Sequence, residues 1–471
     1  MSPNLPRGMR DFDGADSAGI ERIRERFVRA CGLYGYGLVD PSPLESLSTL
    51  ETRSGPAIRD EIYHFEDKGG RRVALRFDFT MGLARRAAQQ RSERLPSKVA
   101  SFGGVFRYDE PQQGRYRYFH QWDMEVFGSP SADADAEIIE ATSLLFESLG
   151  MKKGVSIRVC HRGLVESLVR SVFGQETPAG EMSEILRAMD KAAKKPRDVI
   201  ISEYADAAGG GGRPDRAAML GELLEYASMR GSADEIAGRR GEISSLDGWD
   251  DLASLSDSLG SRGVGCAVID LGIVRGLDYY SGMVFEVFDD SDDDDGGGDD
   301  GGDGRPSRYG SLAGGGRYDA LMKAFDRPDL GAAGVAGGVE RTMLAMRRRG
   351  LLDGDRDGGS ARAGPAAAAD LVAVVCATPD ARGAAAGVAS ALRRGGITTE
   401  FDIAGRPLRK QMASASRAGA HTAIIIGTEE VQSGQALLRM MDTGEQRAVR
   451  LEELTGDPAS VIARVSQERP L

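Results

Sequence analysis

Residues 118–127, with the sequence YFHQWDMEVF, alternate in character over ten positions. Successive side chains of a β-strand point to opposite faces of the sheet, so this pattern predicts a strand with one polar and one apolar face. The polar face carries Phe119, Gln121, Asp123 and Glu125, and the other carries Tyr118, His120, Trp122, Met124 and Val126. Such a strand is typical of a half-buried antiparallel sheet.

An arginine-rich turn precedes this strand. Arg107, Arg115 and Arg117 surround Pro111 and Gly114, which are residues typical of turns. The predicted unit is therefore a hairpin. Two interpretations fit it: a binding surface built from the polar face and the arginines, or an ordinary hairpin whose charged groups are solvated.

The length and composition predict a multidomain globular protein. A chain of 471 residues is too long for one core, so two or three domains are expected. No apolar run is long enough to cross a membrane, and the opening MSPNLPRGMR lacks the apolar core of a secretory signal. The four cysteines are widely spaced and form no zinc-binding pattern. These features favour a cytoplasmic protein without a metal centre.

The net charge of −12 is concentrated in one stretch. Nine aspartates lie between Asp289 and Gly304, among glycines and one serine. This composition cannot form a core, so it predicts a disordered surface loop. A hard-cation site is the alternative, although the spacing of a calcium-binding loop is missing.

Two further segments carry candidate binding residues. LRFDFT, residues 75–80, leads into a helix that Thr80 is predicted to cap, so Asp78 lies near a helix N-terminus. GIVRGLDYYSG, residues 272–282, lies between two predicted strands. A tight loop with packed tyrosines explains its aromatic residues but gives Arg275 no role.

The chain begins and ends with simpler patterns. A first helix is predicted, with Asp16 or Ser17 as its cap, and a short strand at 37–43. Residues 347–369 predict a linker. From Asp370 onward, strands and helices alternate, which predicts a small α/β domain with a parallel sheet.

Taken in order, these segments resemble the histidyl-tRNA synthetases, which are class II aminoacyl-tRNA synthetases. The hairpin at 106–128 resembles motif 2 of that class, and GVAGGVERTMLAM at 334–346 resembles motif 3. The first helix and strand resemble motif 1, which builds the dimer interface in the family. RGLDYY at 275–280 closely resembles a segment specific to the histidyl enzymes.

The resemblance implies an α+β class II catalytic core, with an antiparallel sheet flanked by helices. It also implies a helical insertion over the tRNA acceptor stem and a C-terminal α/β anticodon-binding domain. The implied boundaries are 1–164 and 264–346 for the core, with the acidic loop 289–304 inside its second part, 165–263 for the insertion, 347–369 for the linker and 370–471 for the last domain.

The implied reaction joins histidine to its tRNA through a histidyl-adenylate made from ATP, with Mg²⁺ expected on the phosphates. Arginines suit this chemistry because they stay charged and bind phosphate oxygens in pairs. Arg107 and Arg275 match the catalytic arginines. The residues that match ATP-binding positions are Arg107, Asp109, Arg115, Phe119 and Arg341.

The residues that match histidine-binding positions come from three segments: Asp78, Phe79, Thr80, Arg107, Gln121, Glu125, Arg275, Tyr279 and Tyr280. Asp78, Thr80 and Gln121 would hold the ammonium group, and Glu125 and Tyr280 would bracket the imidazole. The chain departs from many members at Asp78 and Asp109, where they carry glutamate. It also departs at Gly337, where a larger aliphatic residue is common, and we expect looser packing there.

Two rival functions share parts of this pattern. One is the histidine-binding regulatory subunit of ATP phosphoribosyltransferase, which has the same fold and usually lacks the last domain. The other is a non-catalytic RNA-binding accessory protein, which would need no histidine pocket. The arginines at 107, 275 and 341 and residues 370–471 favour the synthetase, with histidine, ATP and histidine tRNA as partners in a homodimer.

Overall fold

The computed structural model describes residues 4–90, 95–108, 110, 116–192, 195–207, 214–274, 280–290, 310–352, 371–402 and 405–467. The chain divides into two compact units, one of residues 1–11 and 19–353 and one of residues 12–18 and 354–471. The strands are β1 Gly37–Leu38, β2 Leu44–Ser46, β3 His64–Glu66, β4 Arg72–Leu75, β5 Ser97–Phe106, β6 Tyr118–Phe127, β7 Val155–His161, β8 Arg230–Gly231, β9 Ala267–Asp270, β10 Met283–Asp289, β11 Ala313–Arg317, β12 Ala332–Gly338, β13 Val372–Cys376, β14 Thr399–Phe401, β15 Thr422–Ile426, β16 Gln435–Met440 and β17 Gln446–Arg450.

The helices in the described residues are α1 Gly14–Leu33, α2 Leu47–Ser54, α3 Thr80–Gln89, α4 Ala132–Ser148, α5 Arg162–Phe173, α6 Ala179–Asp190, α7 Arg197–Ala207, α8 Pro214–Ala227, α9 Ala233–Arg239, α10 Trp249–Ser261, α11 Asp319–Ala324, α12 Val339–Arg348, α13 Arg382–Arg394, α14 Leu408–Arg417, α15 Thr428–Ser433, α16 Leu451–Gly456 and α17 Pro458–Gln467. Throughout the described ranges, every helix is too short or too polar to span a bilayer.

The first unit is built on a nine-stranded sheet with the order β1-β5-β6-β12-β11-β10-β7-β9-β8. Its neighbours are antiparallel except for two parallel pairs, β1 with β5 and β7 with β9. The predicted antiparallel core sheet is therefore confirmed, with parallel strands added towards both edges. β2, β4 and β3 form a separate small sheet.

The alternation along β6 is the alternation that the sequence predicts. Trp122, Met124 and Val126 are buried in the large apolar core. Ile23 and Phe27 of α1 pack in the same core, and the Phe27 and Trp122 ring centroids are 5.7 Å apart. Burial of large apolar side chains like these stabilises a fold by about 1.5–3 kcal/mol each. The opposite face of β6 is thereby held in a fixed position.

Two local predictions are wrong. Asp13 caps α1, because its carboxylate accepts a hydrogen bond from the backbone N–H of Asp16 at 2.8 Å. The start of the acidic loop, predicted at Asp289, is also wrong. Asp289 is the last residue of β10, where it is buried and forms an ion pair with Arg349. Residues 291–304, which carry the rest of that prediction, lie outside the described residues.

The second unit contains a five-stranded sheet with the order β14-β13-β15-β16-β17. The first three strands are parallel, as the sequence predicts, but β16 and β17 are antiparallel additions that the prediction missed. Only the six-residue helix α15 separates β15 from β16, and a parallel crossover needs a dozen or more residues. β16 therefore runs antiparallel to β15, and the β16–β17 hairpin forms this edge of the sheet.

Gly337 fits against an aromatic ring, which contradicts the looser packing that we expected there. Gly337 of β12 and Trp122 of β6 are directly opposite in the sheet. A Cβ atom on Gly337 would lie 2.2 Å from the indole ring. The ring therefore occupies the volume that a larger residue would need at position 337.

A double-mutant cycle tests this complementarity. Gly337→Val should destabilise the protein by about 1–3 kcal/mol, because overpacked cores are strained. Trp122→Leu should cost about 3 kcal/mol, because it leaves a cavity. The double variant should lose at least about 1 kcal/mol less than the sum of the two, because each change relieves the other. Unfolding in urea measures all four proteins, and strictly additive losses would contradict the account.

Candidate active site

The structure describes nine of the predicted site residues: Asp78, Phe79, Thr80, Arg107, Phe119, Gln121, Glu125, Tyr280 and Arg341. Asp109, Arg115, Arg275 and Tyr279 lie outside the described residues. The described residues come from the start of α3, from the β5–β6 hairpin, from the segment before β10 and from α12. The large sheet brings most of these segments together.

The polar face of β6 forms a buried hydrogen-bonded network. Gln121, Asp123 and Glu125 are at most 3% exposed. The Gln121 amide Nε2 donates to Asp123 Oδ1 at 2.7 Å. The hydroxyl of Thr80, the first residue of α3, lies 2.8 Å from Glu125 Oε1 and 3.3 Å from Asp123 Oδ2. This single hydroxyl therefore links α3 to both carboxylates.

Asp78 has a structural role that the sequence assigned to Thr80. Its carboxylate accepts a hydrogen bond from the backbone N–H of Met81 at 3.1 Å, so Asp78 satisfies a donor in the first turn of α3 from just before the N-cap residue, Phe79. The prediction of Thr80 as the cap is wrong, since its hydroxyl faces the β6 carboxylates. Phe79 is fully buried, and the Arg76 guanidinium lies 4.5 Å from its ring centroid.

Arg107 is held beside Gln121 and Phe119. Its Nε donates to the backbone oxygen of Phe77 at 3.0 Å, and its Nη2 donates to Gln121 Oε1 at 3.2 Å. The guanidinium carbon lies 5.1 Å from the Phe119 ring centroid, which is within the range of a cation–π contact. These contacts fix the position of a permanent positive charge at the end of the carboxylate network.

Tyr280 and Arg341 each form a hydrogen bond that involves a backbone oxygen: Tyr280 accepts one through its own carbonyl, and the Arg341 side chain donates one to another residue. Arg162 of α5 donates to the Tyr280 oxygen at 2.5 Å, so the helix after β7 contacts the segment before β10. Arg341 of α12 donates to the Ser311 oxygen at 3.1 Å. Its neighbour Glu340 accepts a hydrogen bond from the His120 backbone N–H at 2.9 Å, which ties α12 to β6.

Glycines keep the centre of this sheet face open. The sheet register aligns Glu125 with Gly334 of β12 and Gly316 of β11. A Cβ atom on Gly334 would lie 1.5 Å from Glu125 Oε2, and one on Gly316 would lie 2.8 Å from the Tyr280 ring. Gly334 and Gly316 therefore leave room for the side chains of Glu125 and Tyr280.

Sequence reasoning missed two residues of this network. Tyr318, which follows β11, is buried, and its hydroxyl donates a hydrogen bond to Glu125 Oε2. Asp123 was placed on the polar face but given no role. The sequence signal for Asp123 was its position in the alternation of β6, which places it on the same face as Gln121 and Glu125. Nothing in the local sequence pairs Tyr318 with a residue 193 positions away.

Burial raises the pKa values of both β6 carboxyls. The pKa of Asp123 rises to about 8, mainly because burial disfavours its charged form, and the nearby Asp78 carboxylate adds to the rise. The pKa of Glu125 is raised well above its usual range, mainly by burial and secondly by repulsion from Asp123. Neutral groups of Thr80, Gln121 and Tyr318 donate side-chain hydrogen bonds to these carboxyls, while the Arg107 charge acts on Asp123 as a smaller effect that lowers its pKa. The site is therefore electrostatically suited to a cationic group that donates N–H bonds.

A separate cavity of about 480 Å³ lies further along the same sheet, beside β7, β9 and β10. It is lined by charges of both signs from the sheet and the insertion helices, among them Arg158, Arg230, Asp270 and Glu286. Glu286 is aligned with Asp123 through Gly314 and Ala336, so both project from the same sheet face. The β6 network itself does not line this cavity.

The pKa of Asp123 predicts a pH dependence of stability. In the unfolded chain an aspartate ionises near pH 4, whereas in the fold Asp123 keeps its proton until about pH 8. The wild type should therefore lose stability relative to Asp123→Asn as pH rises from 4 to 8, by up to about 1.4 kcal/mol per pH unit. Urea unfolding of both proteins at pH 5.5, 7 and 8.5 measures the difference. A difference that does not change with pH would contradict the prediction.

Comparison with known proteins identifies the family of the chain. The family model for histidyl-tRNA synthetase matches residues 8–341, and the model for the anticodon-binding domain matches residues 371–456. The chain is 32% identical to histidine–tRNA ligase of Haloarcula marismortui, covering 96% of each protein. It is 31% identical to the chloroplastic/mitochondrial histidine–tRNA ligase of Arabidopsis thaliana, covering 96% of this chain and 86% of the relative.

The solved structures agree in fold. The histidyl-tRNA synthetase of Nostoc sp. PCC 7120 matches with a TM-score of 0.75 and 21% identity over 99% of this chain and 100% of that one. A Bacillus halodurans protein, described as an ATP phosphoribosyltransferase regulatory subunit/histidyl-tRNA synthetase, matches with a TM-score of 0.66 and 22% identity over 91% of this chain and 99% of that one. From the family match over residues 8–341 and the full-length relatives, the chain belongs to the histidyl-tRNA synthetase family.

Proposed function

We propose that this protein is a histidine–tRNA ligase that works in two steps at the β6 face. The histidine carboxylate attacks the α-phosphorus of ATP, which forms histidyl-adenylate and releases pyrophosphate. A ribose hydroxyl of the terminal adenosine of histidine tRNA then attacks the activated carbonyl, and AMP leaves. The observation that carries the proposal is the buried network of Gln121, Asp123 and Glu125 beside the fixed charge of Arg107.

Charge and hydrogen bonding divide this site into two halves. The carboxylate half suits the ammonium and imidazole N–H groups of histidine, with Asp78, Thr80 and Gln121 assigned to the ammonium group. Glu125 and Tyr280 are assigned to the imidazole. Leaving buried acceptors unpaired penalises any amino acid that merely fits in size. Phe79 and Tyr279 are assigned to the walls of this pocket.

The arginine half suits the phosphates. Arg107 is assigned to the α-phosphate, where a preorganised charge stabilises the transition state. Arg275 is assigned to the same phosphate from the opposite side, and Arg115 and Arg341 to the outer phosphates. Phe119 is assigned to the adenine ring, together with Asp109. The cation–π contact of Phe119 with Arg107 supports a stacking surface at this point.

Mg²⁺ is expected to enter as part of the ATP substrate. Within the described ranges, no group of three histidine, cysteine, aspartate or glutamate residues is arranged to hold a metal ion. We assign the ion to the phosphates of the ATP substrate.

The rest of the chain is assigned to tRNA and to dimer formation in the cytoplasm. The insertion at 165–263 is assigned to the acceptor stem, and 370–471 to the anticodon. Four large apolar side chains are exposed in or near the motif 1-like segment: Leu33, Leu38, Leu44 and Phe65. Exposed apolar residues concentrated in one segment favour an interface there, which supports a homodimer. All four cysteines are free thiols, which is consistent with a reducing compartment.

Histidine-dependent exchange of labelled pyrophosphate into ATP tests the first step. Exchange should appear with histidine and with none of the other nineteen standard amino acids. A regulatory subunit would bind histidine without any exchange. The match of an anticodon-binding domain at 371–456 makes that alternative the weaker one.

Glu125→Gln tests the imidazole contact. The change keeps the size of the side chain but removes its charge. Hydrogen bonds to charged groups are worth about 1.5–3 kcal/mol, so the KM for histidine should rise roughly 10- to 150-fold. The KM for ATP should change far less. Pyrophosphate exchange measures both constants, and equal increases would place Glu125 outside the histidine pocket.

Truncation after Leu352 tests the division of labour. Leu351 lies 3.1 Å from the Cβ position of Gly150, so the cut should fall beyond Leu351 and Leu352, which pack on the first unit. All residues assigned to adenylate formation remain, and exchange should be largely preserved in a folded dimer. Charging of tRNA should fall sharply. Undiminished charging by the truncated protein would show that 370–471 is not needed for tRNA binding.

A further inference from the structure

We propose that Asp123 is a positioning residue of the histidine pocket. It fixes Gln121, and together with Glu125 it orients Thr80, so that both oxygens face the substrate ammonium group, whose binding in turn favours the ionised form of the Asp123 carboxyl. The inference rests on the proposed function, since it concerns the same pocket.

Asp123 and Arg107 together allow only one orientation of the Gln121 amide. Gln121 Nε2 donates to Asp123 Oδ1 at 2.7 Å, and Gln121 Oε1 accepts from Arg107 Nη2 at 3.2 Å. A flipped amide would set its N–H groups against the Arg107 guanidinium, which has no hydrogen-bond acceptor. An amide oxygen accepts two hydrogen bonds, so Oε1 has capacity for an ammonium N–H in addition to Arg107.

Thr80 is oriented by the same carboxylates. Its hydroxyl proton points to Glu125 Oε1 at 2.8 Å or to Asp123 Oδ2 at 3.3 Å. Because that proton is engaged on the β6 side, the lone pairs of the oxygen are left for an incoming donor. Gln121 thus becomes an acceptor through Asp123 and Arg107, and Thr80 becomes one through Glu125 and the longer contact with Asp123.

The charge of Asp123 acts without direct contact with the substrate. Asp123 has no exposed surface, and its carboxyl group contacts Gln121 and Thr80. The charged groups that influence it are Asp78, whose carboxylate repels it, and Arg107, whose charge attracts it. Glu125, the next carboxylate along β6, carries a further potential negative charge. A cation at the surface of the pocket is favoured, because it stabilises the ionised forms of these carboxyls. A ligand without a positive charge gains no such stabilisation.

Asp123→Asn tests the inference with two histidine analogues. Histidinol keeps the ammonium and imidazole but lacks the carboxylate, whereas 3-(imidazol-4-yl)propanoate keeps the carboxylate and imidazole but lacks the ammonium. Titration calorimetry should show histidinol affinity falling at least tenfold, while that of the propanoate changes less than twofold. Pyrophosphate exchange should show a raised KM for histidine and an unchanged KM for ATP.

Tyr318→Phe is the matched control. It removes the hydroxyl that contacts Glu125, which is assigned to the imidazole, so both analogues should weaken alike. Asp123→Thr, a neutral residue that favours strands, gives a second variant in case the asparagine protein does not fold. Equal weakening of both analogues by the Asp123 variants would overturn the inference. Failure of the folded wild type to bind histidine or histidinol would instead overturn the proposed function.

Discussion

Two carboxyl groups, Asp123 and Glu125, are buried on the same face of one strand, where each is close enough to repel the charged form of the other. An unpaired buried carboxylate is costly, so the site holds protons when empty or accepts a cation when occupied. In the part of the chain that the structure describes, neutral groups of Thr80, Gln121 and Tyr318 donate hydrogen bonds to these carboxyls. The chemistry of the site follows from this arrangement, because a ligand with several N–H donors and a positive charge satisfies it.

The sheet makes that arrangement possible by pairing large residues with glycine. Glu125 lies opposite Gly334 on the functional face, and Trp122 lies opposite Gly337 on the core face. Each glycine leaves the volume that its partner fills. The core side thus anchors β6 rigidly, while the other side presents polar groups at fixed positions. Rigid strands hold binding groups more accurately than loops do.

The sequence predicted the central strand well because its signal is local. Alternation over ten positions gave the bounds of β6 and the residues on each face, and the resemblance gave the order of the segments. The order of the nine strands and the parallel pairs depend on contacts between distant residues. Tyr318 escaped prediction for the same reason, since its partner Glu125 lies in another part of the chain. At α3 the sequence predicted where the helix begins. It did not predict that Asp78 accepts the first-turn hydrogen bond, because that depends on how the chain enters the helix.

A crystal structure with histidine bound tests the central claim most directly. The account predicts the imidazole within hydrogen-bonding distance of Glu125 and the ammonium group beside Thr80 and Gln121, with its carboxylate turned towards Arg107. Histidine bound elsewhere, or bound here with its ammonium group directed away from the β6 carboxylates, would contradict the account.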